Sequence, residues 1–184
     1  MTKLLLYCTK NPKKLLIKKD YGFIFDKWLI GEEQALNGKI VAECDFEVEE
    51  IKWNDIENYN YEEMLPLDNL LKNSCLTKLE LEDYLNGKDG YAIHIKNLNI
   101  FDEPRELRNY HRAKSIDGHS PCWHCKRFGT GCERCDIKAP QNMMYAYLGN
   151  DKYILISIRP EWLCKILNGE KTIEIRKKVL KEML

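Results

Sequence analysis

Between the Asn37-Gly38 turn and Ile51 the chain reads KIVAECDFEVEEI. Ile40, Ala42, Cys44, Phe46 and Val48 alternate with Val41, Glu43, Asp45, Glu47 and Glu49. A period of two places the first set on one face of an extended strand and the second on the other. One face is apolar and one acidic, which is the pattern of a half-buried strand. Such a strand needs neighbours for its backbone N–H and C=O groups, so the chain must supply a sheet.

Other segments supply it. KLLLYCTK (3–10) reads as a buried strand ended by the Asn11-Pro12 turn signal, and YAIHIKNLNIF (91–101) as another. NMMYAYL and KYILISI flank GND, a hairpin loop. Residues 67–85 read as helical with a break near Ser74-Cys75. Thr77 and Glu80 fit a capping box there, and Asn86-Gly87 fits the stop. Asp102 is placed to cap a short helix through RELRNY, and NDIENYNYEE reads as a loop. Pro160 opens the helix PEWLCKILN, Gly169 ends it, and TIEIR is the last strand. The sum is an α+β pattern that suggests a small β-barrel with short peripheral helices and an inserted Cys-rich loop. The chain is expected to be a single domain over 1–184, with 1–111 and 140–184 forming the barrel and 112–139 the insert.

Net charge is zero, with 29 basic and 29 acidic residues among 184, so only the distribution is informative. Residues 1–27 carry seven Lys against two Asp, and 159–184 carry seven Lys or Arg against four Glu. Nine acids and a single Lys52 lie between Glu43 and Glu63. A compact fold can gather the two basic ends into a positive face suited to phosphate, although charge runs are commonly just solvated faces. No apolar window is long enough to span a membrane, and the first residues do not form a signal peptide, so the expected location is cytoplasmic. Thiols and metal ligation then fit the eight Cys better than disulfides.

Four of those Cys sit in CWHCKRFGTGCERC. Cys122, Cys125, Cys132 and Cys135 form two C-x2-C pairs whose thiolates can complete a tetrahedral S4 set for Zn2+. With every position filled by protein, the zinc is expected to be structural. An iron–sulfur cluster, a redox dithiol, or His119 or His124 in place of one Cys are the rivals. Cys8, Cys44, Cys75 and Cys164 read as small buried hydrophobes.

At the other end, Lys171, Glu174 and Arg176 cluster around the last strand. Two cations and a carboxylate at a strand mouth can hold an anionic ligand, with the Glu orienting a cation or acting as acid or base. An exposed salt-bridge ladder is the competing reading. The segment ILISIRPEWLCKILNGEKTIEIRKK resembles the opening of an ASCH domain, a PUA-like β-barrel family. The family signature G-x-K-x-x-E-x-R is matched by Gly169, Lys171, Glu174 and Arg176. KLLLYCTK, NGKIVAECDFEVEEI, YAIHIKNLNIFDEPREL with the Cys-rich loop, and APQNMMYAY also resemble pieces of longer ASCH proteins of phages and Firmicutes.

In the family the signature segment comes first, whereas here it trails everything else, so the chain resembles a circularly permuted member. Permutation implies that strand 172–176 pairs with strands from the other end of the chain, bringing Lys3, Lys10, Lys13 and Lys14 beside Lys171 and Arg176. A domain-swapped dimer or a truncated tandem copy would also account for the order. The resemblance implies that Gly169, Lys171, Glu174 and Arg176 bind RNA or a modified nucleotide in a basic cleft. It also admits a hydrolase acting on a modified nucleoside or RNA, with Lys171 and Glu174 as the acid–base pair. One deacetylating branch of the wider family pairs a Lys with a Thr three residues later, where this chain has Glu174. A protein-interaction domain using the acidic strand face is a third reading, and His94 reads as structural.

Overall fold

A computed structural model describes residues 2–9, 38–58, 65–112, 137–148 and 151–184. Among them six strands hydrogen-bond in one order. In chain order these are β1 (Lys3–Cys8), β2 (Lys39–Ile51), β3 (Gly90–Glu106), β4 (Met143–Leu148), β5 (Asp151–Ile158) and β6 (Ile173–Arg176). The helices are α1 (Trp53–Glu57), α2 (Leu65–Ser74), α3 (Lys78–Leu85) and α4 (Pro160–Leu167), with 3-10 turns at Leu107–Asn109 and Lys181–Met183. The protein is therefore mixed α+β. The strand order β4-β5-β1-β2-β3-β6 has two ends, and among the described residues no pairing closes it.

The backbone gathers into two compact units, Met1–Asp45 with Leu98–Cys164, and Phe46–Asn97 with Lys165–Leu184. In the first unit β1 is central. It runs parallel to β5, from Lys3 opposite Tyr153 to Cys8 opposite Ile158, and antiparallel to β2, with Leu5 opposite Glu43. Leu4, Leu5 and Leu6 are all fully buried, as a strand covered on both faces requires. β4 returns antiparallel on β5, as the GND loop predicts. Leu5, Tyr7, Ile40, Phe101, Tyr110, Ala146 and Leu155 pack one core. Burial pushes the Cys8 and Cys44 thiols up to about 12, as expected of inert core cysteines.

On the acidic face of β2, Glu43 is met by a cation within this unit. Lys3 reaches Glu43 at 2.9 Å, and Lys39 pairs with Glu106. Lys3 belongs to this unit and Lys171 to the second. Lys10, Lys13 and Lys14 lie outside the described residues.

The second unit holds α1, α2 and α3 against β6 and the first part of β3. Ile56, Leu67, Leu70, Leu81, Leu85, Ala92, Ile173 and Ile175 form its core. α3 begins at the expected capping box: Glu80 N–H donates to the Thr77 hydroxyl, and Thr77 N–H donates to the Glu80 carboxylate. It ends at Asn86 in the left-handed conformation. Cys75, at the predicted break, also has a positive φ of 56°.

Three expectations change. The segment 53–57 is helix α1 rather than loop. Ile56 is fully buried, and the Asp89 carboxylate accepts the Trp53 N–H at 2.8 Å. The helix expected from Asp102 is absent, because β3 continues through Pro104 to Glu106 and leaves only one 3-10 turn. Burial of Phe101 in the first core and the Lys39–Glu106 pair hold that stretch extended against its local capping signal. The third concerns β6, which pairs antiparallel with β3, Ile175 opposite Ala92 and Glu174 opposite Ile93. The strand that joins the tail of the chain to its head is β5, through β1.

Candidate functional site

The site is built where α4 hands over to β6. Gly169 adopts a φ of +75°, a conformation a Cβ would strain. The Glu170 and Lys171 N–H groups both donate to the Lys165 carbonyl, which closes the helix end. Thr172 N–H then donates to the Asn73 carbonyl at 2.9 Å, and the Thr172 carbonyl accepts from Ile95 N–H at 2.8 Å.

Residues 170–172 therefore dock on the C-terminus of α2, where the last helical carbonyls lack helical partners. Lys171 supplies the closest contact. Its ammonium donates to the Ser74 carbonyl at 2.7 Å, a cation at the negative end of a helix. Cys75 Sγ donates to the Glu170 carbonyl at 3.3 Å.

The same ammonium lies 3.4 Å from Glu174 Oε2, and Arg176 Nη2 lies 2.9 Å from Glu174 Oε1. Side-chain exposures are 3% for Lys171, 11% for Glu174 and 13% for Arg176, so this is not an exposed ladder. Two cations converge on one carboxylate in a nearly dry setting, where each charge is costly to strand and strongly felt. Burial pushes the Lys171 amine below the usual lysine range, Arg176 adds to that push, and Glu174 opposes it.

Beside this cluster lies a pocket of about 360 Å³ within the second unit. Asn73, Thr172 and Ile173 line it, so it borders the residues that position Lys171. Lys171, Glu174 and Arg176 do not line it. Its walls carry Glu49, Glu50 and Asp55 as well as Lys52 and His94. Carboxylates outnumber cations in its lining.

Signature residues Gly169, Lys171, Glu174 and Arg176 are thus brought to one place. Cys122, Cys125, Cys132 and Cys135, with His119 and His124, lie outside the described residues. Among the described residues no group of three or more His, Cys, Asp or Glu is placed to hold a metal. His94 pairs with Glu49 at 2.9 Å, and Lys96 with Glu47 at 2.5 Å. The acidic strand face is therefore largely engaged within the chain. Sequence reasoning missed Ser74 and Asn73, whose backbone carbonyls carry no signal in their residue type. Among the described residues no helix is long and apolar enough to cross a membrane. Comparison with models of known families, with curated proteins and with solved structures found no match.

Proposed function

We propose that this chain is a nucleic-acid-binding module of the ASCH type, PUA-like in architecture, that takes RNA or a modified nucleotide where Gly169, Lys171, Glu174 and Arg176 meet. The observation that supports it is the convergence of the Lys171 and Arg176 cations on Glu174 at 3.4 and 2.9 Å, nearly excluded from water. In this reading the cations contact phosphate or a base edge while Glu174 fixes their geometry. Zn2+ on Cys122, Cys125, Cys132 and Cys135 orders the inserted loop and extends the surface. The chain acts as a monomer or as a domain-swapped dimer.

Fluorescence anisotropy with labelled single-stranded RNA across a salt series tests the reading. It expects binding that weakens steadily as salt rises, and weakens further in Arg176→Gln. Salt-independent binding unaffected by Arg176→Gln overturns it.

The depressed Lys171 amine favours a second reading, a hydrolase of modified nucleosides or RNA. Burial raises the fraction of uncharged amine at a given pH, and Glu174 is placed to exchange a proton with it. Turnover of acylated nucleosides by the wild-type chain and not by Lys171→Met is the outcome this reading expects. Absence of turnover counts against it.

A further inference from the structure

The pocket of the second unit has a chemistry opposite to that of the cluster beside it. Its floor is aliphatic, built from Ile51, Ile56, Leu67, Leu70 and Ile173. Its polar wall is rich in acceptors. Glu49, Glu50 and Asp55 bring three carboxylates, while Asn69, Asn73 and Thr172 add amide and hydroxyl oxygens. The two lining groups able to carry positive charge are engaged by Glu50 and Glu49, which leaves Asp55 as the lining carboxylate with no cation beside it among the described residues. Lys52 lies 2.7 Å from Glu50 and 3.4 Å from Asp89, and His94 lies 2.9 Å from Glu49. Among the described residues the Asp55 carboxylate has no hydrogen bond or ion pair.

A volume of about 360 Å³ falls at the small end of ligand sites, which run from about 300 to 1,000 Å³. A phosphate or carboxylate entering here would meet a lining in which carboxylates outnumber cations. An ammonium would find acceptors on several sides, and its hydrocarbon body would cover the aliphatic floor.

We propose that this pocket is a binding site for a small organic cation, a primary ammonium on an apolar stem. The stem packs on Leu70 and Ile173, and the ammonium donates toward Asp55, with Asn69 and Thr172 as further acceptors. This site requires nothing from Lys171, Glu174 or Arg176 and is separate from the RNA reading. The cation can be a free amine or a lysine side chain of a peptide, which share this chemistry.

Isothermal titration of the full chain with benzylamine, benzyl alcohol and benzoate tests the assignment, since the three share a ring and differ in charge. Benzylamine is expected to bind saturably and about fivefold or more tighter than benzyl alcohol, with benzoate not binding. Asp55→Asn combined with Glu49→Gln is expected to erase the preference for the amine. Both positions are exposed, and the unfolding midpoint of the variant serves as the folding control. Nα-acetyl-lysine amide binding as tightly as benzylamine supports the proposal with a peptide as source; weaker binding supports it with a free amine. Equal affinity for amine and alcohol, no saturable binding, or a preference that survives in the folded double variant overturns it.

Discussion

Lys171 donates its ammonium to the backbone carbonyl of Ser74, 97 positions earlier in the chain, across 2.7 Å. That contact joins the end of α2 to the start of β6. It also holds the ammonium 3.4 Å from the Glu174 carboxylate. One side chain thus satisfies a helix terminus and completes a charge cluster, so its loss is expected to register in stability as well as in binding.

Lys171→Ala leaves the Ser74 carbonyl without this donor and takes one cation from Glu174, both in a nearly dry setting. Breaking a buried pair by removing one partner costs about 3 to 5 kcal/mol. A loss near the lower figure is expected, read as a lower urea midpoint at unchanged slope. A change within about 0.5 kcal/mol, the level of an ordinary surface substitution, contradicts the buried network.

The pH dependence has a definite sign. Burial lowers the folded Lys171 amine below its ordinary 10.5. Between the folded value and 10.5 the unfolded chain binds a proton that the folded chain has released, so stability rises with pH across that window. Below the folded value both states are protonated and the term is flat. Urea midpoints of the wild type and Lys171→Met, compared from neutral pH to 10.5, are expected to diverge in favour of the wild type as pH climbs. A difference that shrinks as pH climbs contradicts the assignment.

Gly90 lies at the start of β3, where a Cβ would sit 2.6 Å from Leu85 Cδ2 and 3.3 Å from the Arg176 carbonyl. Gly90→Ala forces the fully buried Leu85 to move, and overpacking of this kind costs about 1 to 3 kcal/mol. Thermal unfolding is expected to show the loss, and Leu85→Ala in the same chain is expected to relieve part of the clash. Additive losses in the double variant contradict it.

Zinc is expected at about one equivalent per chain by elemental analysis of protein purified without added metal. Cys122→Ser with Cys135→Ser is expected to abolish it, whereas Cys44→Ser leaves it intact. Retention of zinc by the first pair contradicts the four-Cys site.

Much of this architecture is legible locally. The Thr77–Glu80 capping box, the Gly169 stop and the β4–β5 hairpin each depend on residues within a few positions of one another. The alternation of β2 predicts its pairing face, and Lys3 and Lys96 supply the cations that meet Glu43 and Glu47. What was not legible depends on distance. Helix α1 needs Asp89 to accept the Trp53 N–H, and β3 outlasts its local helix signal because Phe101 enters a core. The strand partner of β6 and the burial of Lys171 depend on β3 and on Ser74, far apart in the chain. No spacing of charges near residue 171 distinguishes an exposed ladder from a buried cluster.

The most direct test of the central claim, that the Lys171–Glu174–Arg176 cluster is the seat of RNA or nucleotide recognition, is the dissociation constant for single-stranded RNA of the wild type and of Lys171→Met at one fixed salt concentration. Circular dichroism establishes that the variant is folded, and Arg176→Gln provides the second arm. The account predicts that both folded variants bind at least about tenfold more weakly, about 1.4 kcal/mol. Folded variants that retain wild-type affinity would contradict it.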